Sequence, residues 1–270
     1  MAKDDRGFLL LKEADEPFVR EGWNASIKFD GVRAQITKTS DGVVSINGRR
    51  RHMVAERFPE VIKALQDMPG SFKVDCELAA FENEFKTNLS HVQGRVHTKD
   101  PFKIRLMAKT MPVTPALFDL LELNGNDMTN RPFEERKKAL SEAFSGNIGV
   151  RVVKDYDNPL EVWELAERHK LEGIVERNKG SPYMSGRTDT AIKVKRKALY
   201  PMKMVRYEVN NAGIKLFSQD GVKCQCSGHQ SVEVKALIDS QGYAGVNVRG
   251  MGDKTKDGAI REPTFFGLIK

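Results

Sequence analysis

The sequence predicts an α+β fold in two parts: a first domain of antiparallel sheets and helices over residues 1–199, then a small all-β barrel over 200–270. Three observations carry that prediction. Short alternating β-like runs dominate the chain. Three helices announce themselves with a proline in the first turn, at Pro59, Pro132 and Pro159. After Lys197 the texture changes to short strands with closely spaced turns, and roughly 70 residues of that kind suit an OB-fold.

In chain order, strands are expected over 24–29, 32–38, 42–47, 72–81, 113–121, 173–177 and 190–196. The helix after Pro59 places Val61, Ile62, Leu65 and Met68 on one face. The helix after Pro132 turns Phe133, Leu140 and Phe144 inward. In the third, Asn158 is the expected cap, with Leu160, Trp163 and Ala166 toward the core. The last part has one short helix candidate near 232–238. Its turn signals are Asn210-Asn211-Ala212-Gly213, Asp220-Gly221, Ser227-Gly228 and the stretch 250–258. The boundary is expected at 198–201. No internal repeat or low-complexity tract is present.

With 270 residues and 40% hydrophobic content, sizeable cores are affordable, and no apolar run approaches the ~20 residues that span a bilayer. Met1-Ala2-Lys3-Asp4-Asp5-Arg6 leads into no signal-peptide core. Cys76, Cys224 and Cys226 are too few for a disulfide framework, and Cys224-x-Cys226 lacks the spacing of a zinc site. A reducing, cytoplasmic compartment follows. The net charge of +7 favours a polyanionic partner such as nucleic acid or nucleotides. An anionic membrane is disfavoured, because no helix joins a basic face to a strong apolar one.

Lys28-Phe29-Asp30-Gly31-Val32-Arg33 is the densest chemical stretch. It allows two readings. Asp30-Gly31 is either a hairpin turn between strands 26–29 and 32–36, or a loop presenting a lysine nucleophile and a phosphate-binding arginine. Lysine attacks only when neutral, and with a free pKa of ~10.4 that costs roughly 4 kcal/mol near pH 7.5. A nearby metal lowers the cost and a lone carboxylate raises it. A lysine attacking a nucleotide therefore calls for a divalent cation with oxygen ligands. Asp75 and Glu77 share one face of a strand, and Glu172 sits where a helix exit feeds a buried strand. Taken separately, each reads first as a solvated edge-strand or helix-end acid. Phe118 is either a base-stacking ring or ordinary core. Lys193, Lys195 and Lys197 alternate onto one face that needs an anion, or form a lysine-guarded edge strand. Arg49-Arg50-Arg51 and Gly186-Arg187 are further phosphate candidates of low specificity alone.

Taken together these residues resemble, in order and approximate spacing, the motifs of the covalent nucleotidyltransferase superfamily: Lys-x-Asp-Gly-x-Arg at 28–33, Asp75 to Glu77, Phe118-Asp119, Glu172-Gly173-Ile174-Val175 and Lys193-Val194-Lys195. The superfamily covers ATP-dependent DNA ligases, mRNA capping enzymes and relatives. Phe118 to Gly125 followed by Arg131 to Arg136, Ser181-Pro182-Tyr183 with Gly186-Arg187, and Arg261-Glu262-Pro263-Thr264-Phe265-Phe266 are similar to DNA ligase segments, so the resemblance runs from about Trp23 to Lys270. It implies an ATP-grasp-like nucleotidyltransferase domain followed by an OB-fold, in a minimal ligase of the bacteriophage or small-virus kind.

The resemblance implies roles for particular residues. Lys28 forms the lysyl–AMP adduct, Arg33 contacts the nucleotide and the nick 5′-phosphate, and Glu77 holds the ribose or a metal. Phe118 stacks on adenine, Glu172 ligates the metal, and Lys193 and Lys195 grip the phosphates. Ser26, Ile27, Arg49 and Arg187 complete the nucleotide-binding set. ATP and Mg2+ (or Mn2+) are the implied cofactors, nicked duplex DNA the implied partner, and a monomer the implied state. The chain departs from the family where Ser45-Ile46-Asn47-Gly48 replaces Ser-Arg-Asn-Gly, so that Arg49 or a neighbour stands in for the missing arginine. Ser26 stands where many relatives carry glutamate, and the Arg-x-Asp-Lys tail is absent, leaving Lys270 or Arg261 for part of its role. Only 27 residues precede Lys28, which disfavours the NAD-dependent ligases. The competing readings are a capping guanylyltransferase, an RNA ligase, and a non-catalytic nucleic-acid-binding protein.

Overall fold

The computed structural model describes residues 7–49, 55–255 and 258–269. Met1 to Arg6, Arg50, Arg51 and Lys270 lie outside the described residues. The chain divides into two compact units, Met1–Val194 and Lys195–Lys270. The division lies upstream of the 199/200 boundary expected from composition, because a long strand (β12, Lys197–Asn210) already begins the second unit.

The first unit is built on two sheets. One is ordered β1-β11-β10-β2-β9, from Leu9–Ala14 (β1), Gly186–Lys195 (β11), Gly173–Asn178 (β10), Trp23–Ile27 (β2) and Asp155–Tyr156 (β9). The other is ordered β4-β3-β5-β6-β7, from Val44–Gly48 (β4), Val32–Lys38 (β3), Phe72–Ala79 (β5), Thr114–Leu123 (β6) and Asn126–Asp127 (β7), with Arg151–Val152 (β8) on β6. Most pairings are antiparallel, as expected. β1 with β11 and β8 with β6 are parallel, however. β1 escapes recognition from sequence because Lys12 and Glu13 break its apolar run.

The helices follow their proline and cap signals. Pro59–Gln66 (α1), Phe133–Phe144 (α4) and Pro159–Arg168 (α5) lie where expected, and Asn158 accepts from the Leu160 N–H at 3.0 Å. In α5 the buried residues are Pro159, Val162 and Ala166, whereas Leu160 faces solvent, one position off the expected stripe. Leu89–His97 (α2) and Pro101–Thr110 (α3) are not among the expected helices, although Asn88 and Asp100 are ordinary side-chain caps for them. Val61, Leu65, Phe72, Leu117, Leu120, Leu140 and Phe144 form one core between the second sheet and α1 and α4. Ala25, Ile27, Val162, Ala166 and Ile174 form another between the first sheet and α5.

β2 and β3 belong to different sheets, so Asp30-Gly31 is not a hairpin turn. The segment crosses from one sheet to the other. A Cβ at Gly31 would collide with the Leu78 carbonyl oxygen and crowd the Glu77 side chain, so only glycine lets the chain pass this close to β5. Thr87 pins the crossing from the other side, accepting from the Asp30 N–H and donating to the Asp30 carbonyl.

Among the described residues, the second unit is one five-stranded antiparallel sheet with a single helix. β12, Gly213–Ser218 (β13) and Lys223–Cys226 (β14) are followed by His229–Gln241 (α6), then Ala244–Met251 (β15) and Thr264–Leu268 (β16). Their order in the sheet is β14-β13-β12-β15-β16, and the two outer strands approach each other. Met204, Leu216, Val234, Val246 and Val248 fill its core. Among the described residues, no helix is long and apolar enough to cross a membrane.

Candidate active site

Lys28 lies just past β2, where its N–H donates to the Gly173 carbonyl at 2.9 Å. The antiparallel register Ile27↔Ile174 therefore brings Glu172, immediately before β10, beside the lysine. Lys28 Nζ donates to Glu172 Oε2 at 2.7 Å, with the two side chains only 21% and 6% exposed. Glu77 arrives from the other sheet, opposite Arg33 in the β3–β5 ladder.

Burial alone would push the Lys28 ammonium toward the neutral form. Glu172, Glu77 and Asp30 outweigh it, and the pKa is raised. Lys28 is thus charged and poorly nucleophilic as it stands. Glu77 shows the complementary imbalance. Burial, reinforced by Glu172 and Asp30 against Lys28 and Arg33, pushes its carboxyl up to about 8. Two carboxylates sharing a desolvated site with too little positive charge suit a divalent cation. Among the described residues no group of three or more His, Cys, Asp or Glu forms a closed metal cage. A Mg2+-type ion needs only one or two carboxylates, completed by water and substrate phosphates, and Glu77 with Glu172 fits that donor set.

These shifts make stability depend on pH. A carboxyl raised in the folded state contributes most below its unfolded pKa, and that contribution is lost as pH rises through the folded value. Glu176 has the same sign. Burial lifts it to about 7, against one hydrogen bond from the Phe18 N–H, and its Oε2 has no partner. Without metal, the melting temperature is expected to fall from pH 5 to pH 8.5. Glu176→Gln should remove a share on the order of 1–3 kcal/mol of that slope. Thermal melts of both proteins at those two pH values check it; equal slopes would refute the assignment.

Arg33 is held rather than free. Its Nε and Nη2 donate to Asp75 at 3.0 and 2.7 Å, and Nη1 donates to the Leu9 carbonyl at 2.6 Å. Asp75 is fully buried and also accepts the Tyr183 hydroxyl at 2.6 Å. Tyr183 in turn accepts from the Leu9 N–H and Gln35 Nε2. Of the two acids expected together on β5, Glu77 joins the Lys28 cluster and Asp75 positions Arg33. The guanidinium groups of Arg33 and Arg177 lie 5.4 and 5.1 Å from the Phe118 ring centre, so the expected stacking ring already carries cations. Asp119 turns to a different task, a bidentate pair with Arg136 at 2.7 and 2.9 Å.

The remaining predicted residues are scattered. Ser26 accepts from Arg177 Nη1 at 3.3 Å. Ile27 packs into the α5 core, so only its backbone is available to a nucleotide. Ile46 is buried opposite Ile36, which makes the position of the missing arginine a core position in this chain. Arg49 directly follows β4, whose ladder with β3 ends at the Ala34↔Gly48 pair. Arg187 is exposed and donates to the Leu11 carbonyl, tying β1 to β11. Lys193 pairs with Glu13 at 3.2 Å, while Lys195, counted in the second unit, pairs with Glu262 there at 2.6 Å. Arg261 also falls in the second unit, where its carbonyl accepts from the Met251 N–H. Arg177, Tyr183 and Asp155 are not among the site residues expected from sequence. The alternation of Val175 and Arg177 along β10 is the signal that could have exposed the first.

The family model for the ATP dependent DNA ligase domain matches residues 11–195. The chain is 30% identical over 203 residues to DNA ligase 2 of Korarchaeum cryptofilum, covering 71% of this chain and 34% of that protein. It is 27% identical over 185 residues to the bifunctional non-homologous end joining protein LigD of Bacillus subtilis, covering 62% and 30% respectively. The chain thus spans about a third of these curated relatives. In fold it is similar to a Lig E DNA ligase described as binding DNA with a minimal scaffold. That likeness has a TM-score of 0.67 at 19% identity and covers 97% of this chain and 99% of that one. Because the matched stretch contains Lys28, Arg33, Glu77, Phe118, Glu172 and Lys193 in one connected unit, the chain belongs to the ATP-dependent DNA ligase domain family.

Proposed function

We propose that this protein seals 5′-phosphate/3′-hydroxyl nicks in duplex DNA through a lysyl–AMP intermediate on Lys28. The observation that carries the reading is the buried Lys28–Glu172 contact beside Glu77. Lys28 Nζ, once its proton has passed to water, would attack the α-phosphorus of ATP. An N–P bond forms as the bond to pyrophosphate breaks. AMP then passes to the 5′-phosphate at the nick, Lys28 leaving. The 3′-hydroxyl displaces AMP and closes the strand. Arg33, preset by Asp75 and Tyr183, is placed to hold a phosphate without ordering cost at that moment. A divalent ion held by Glu77 and Glu172 would neutralise phosphate charge and favour the neutral amine. Lys193 would exchange Glu13, and Lys195 would exchange Glu262, for phosphate oxygens.

The second unit is read as an OB-fold from its strand order. Numbered within the unit, the sheet runs 3-2-1-4-5, with the helix between strands 3 and 4 and the outer strands drawn together, which is the path of a five-stranded Greek-key barrel. Its role in the proposal is to follow the duplex backbone.

The test is incubation with α-labelled ATP and Mg2+, beside α-labelled GTP, followed by a denaturing gel. A label from ATP that nicked DNA discharges with sealing supports the proposal, and EDTA should reduce it at least ~100-fold. A label from GTP alone would move the protein to cap transfer. No label, even after pyrophosphate treatment to strip bound AMP, would leave a non-catalytic binder.

A further inference from the structure

We propose that Asp155 and Arg177 form a base-reading pair flanking Ser26, a hydrogen-bond acceptor and a donor that select adenine over guanine. The inference rests on the nucleotide-transfer reading of the same site.

The placement follows from register. Ser26 pairs with Asp155 of β9 on one side and with Val175 of β10 on the other. Opposed residues in antiparallel strands project from one face, and residues two apart share it, so Lys28, Ser26, Asp155, Val175 and Arg177 lie on a common face. Ala25 and Ile27 take the other face and pack into the α5 core. Along this face the phosphate chemistry sits at Lys28 and the polar end at Ser26.

Arg177 reaches Ser26 Oγ with Nη1 and lies against Phe118, the ring proposed to stack on the base. Burial is the main influence on its guanidinium and lowers its pKa, despite the fields of Asp119 and Asp155. Among the described residues it makes no ion pair. Its guanidinium also lies 5.4 Å from the Phe133 ring centre, and the residue is only partly buried, which leaves donors for a ligand. Asp155 is mostly buried, at 16% exposure, and is held by Lys137 at 3.3 Å. One ammonium leaves carboxylate lone pairs available.

An acceptor and a donor fixed in order distinguish the purines. Adenine offers its N6–H donor beside the N1 acceptor. Guanine offers its O6 acceptor beside the N1–H donor. A frame that accepts at Asp155 and donates from Arg177 matches adenine and opposes guanine at both places. Such mismatches leave buried polar groups unpaired and reject strongly.

The experiment is adduct formation with α-labelled ATP, GTP and ITP over a range of concentrations, in wild type, Asp155→Asn and Arg177→Met. ITP carries the guanine edge without the 2-amino group. Wild type should use ATP at least ~100-fold better than either GTP or ITP. Each variant should narrow the ATP:GTP ratio about tenfold, through the half-saturating nucleotide rather than the maximal rate. ITP used as well as ATP would overturn the pair. So would an unchanged ratio in both folded variants. If Asp155→Asn fails to fold without its Lys137 contact, Arg177→Met and the ITP comparison still decide. Wild type labelled by ATP with unmoved ratios sinks this inference alone. No label from any of the three sinks the nucleotide-transfer reading with it.

Discussion

The Lys28→Ala protein is expected to form no covalent nucleotide adduct, at least ~1000-fold below wild type, while still binding nicked duplex nearly as well. The reason is chemical rather than structural. Lys28 is the amine that contacts Glu172, and it is one-fifth exposed, so its truncation is expected to leave the fold intact. Removing Lys28 takes away a positive charge that stands beside both Glu77 and Glu172. The variant is therefore expected to be slightly less stable without Mg2+ and to recover when it is added. A denaturing gel with α-labelled ATP and a gel shift on nicked DNA test both halves. An adduct of normal yield would remove Lys28 as nucleophile, and loss of nick binding would mean that the lysine serves DNA rather than ATP.

Asp119→Leu is expected to destabilise the first unit severely, by about 3–5 kcal/mol. Asp119 and Arg136 are almost fully buried and paired through two hydrogen bonds, and Arg136 also donates to the Arg131 and Ser181 carbonyls. Without its partner the guanidinium is left charged in a desolvated site. The melting temperature should drop by roughly 6–20 °C for a unit of this size. The double variant Asp119→Leu/Arg136→Met should be much less destabilised than the sum of the two single changes, because it strands no charge. Additive losses in a thermal double-mutant cycle would show that the pair is not coupled. Neighbours in sequence thus do different work: Phe118 lies against the Arg33 and Arg177 guanidinium groups, and Asp119 holds α4 to β6.

The Lys28 and Asp119 cases show how far the chain is readable directly. Helix starts at Pro59, Pro132 and Pro159 are legible because proline and caps act within a few residues. The strands carrying Lys28, Glu77 and Phe118 are legible from alternation. α2 and α3 escape notice despite good caps, because their apolar stripes are weak and Phe102 and Leu106 of α3 face solvent. Leu160 is expected inward, although the chain enters α5 at Pro159 with Val162 and Ala166 on the buried stripe.

By itself the sequence determined which chemistry is present: one lysine next to a glycine-permitted crossing, two acids able to share a cation, a ring, and basic residues in family order. Those are properties of residue type and local spacing, which act over a few bonds. Only the tertiary structure decided the pairing. It sent Asp30-Gly31 between two sheets instead of around a hairpin. It separated Asp75 from Glu77 in task, setting one on Arg33 and lifting the other's pKa to about 8. It brought Asp155 and Arg177, far from Lys28 along the chain, to either side of Ser26. Ladder register and burial act between segments more than a hundred residues apart, and no local pattern encodes which strand a given strand will meet.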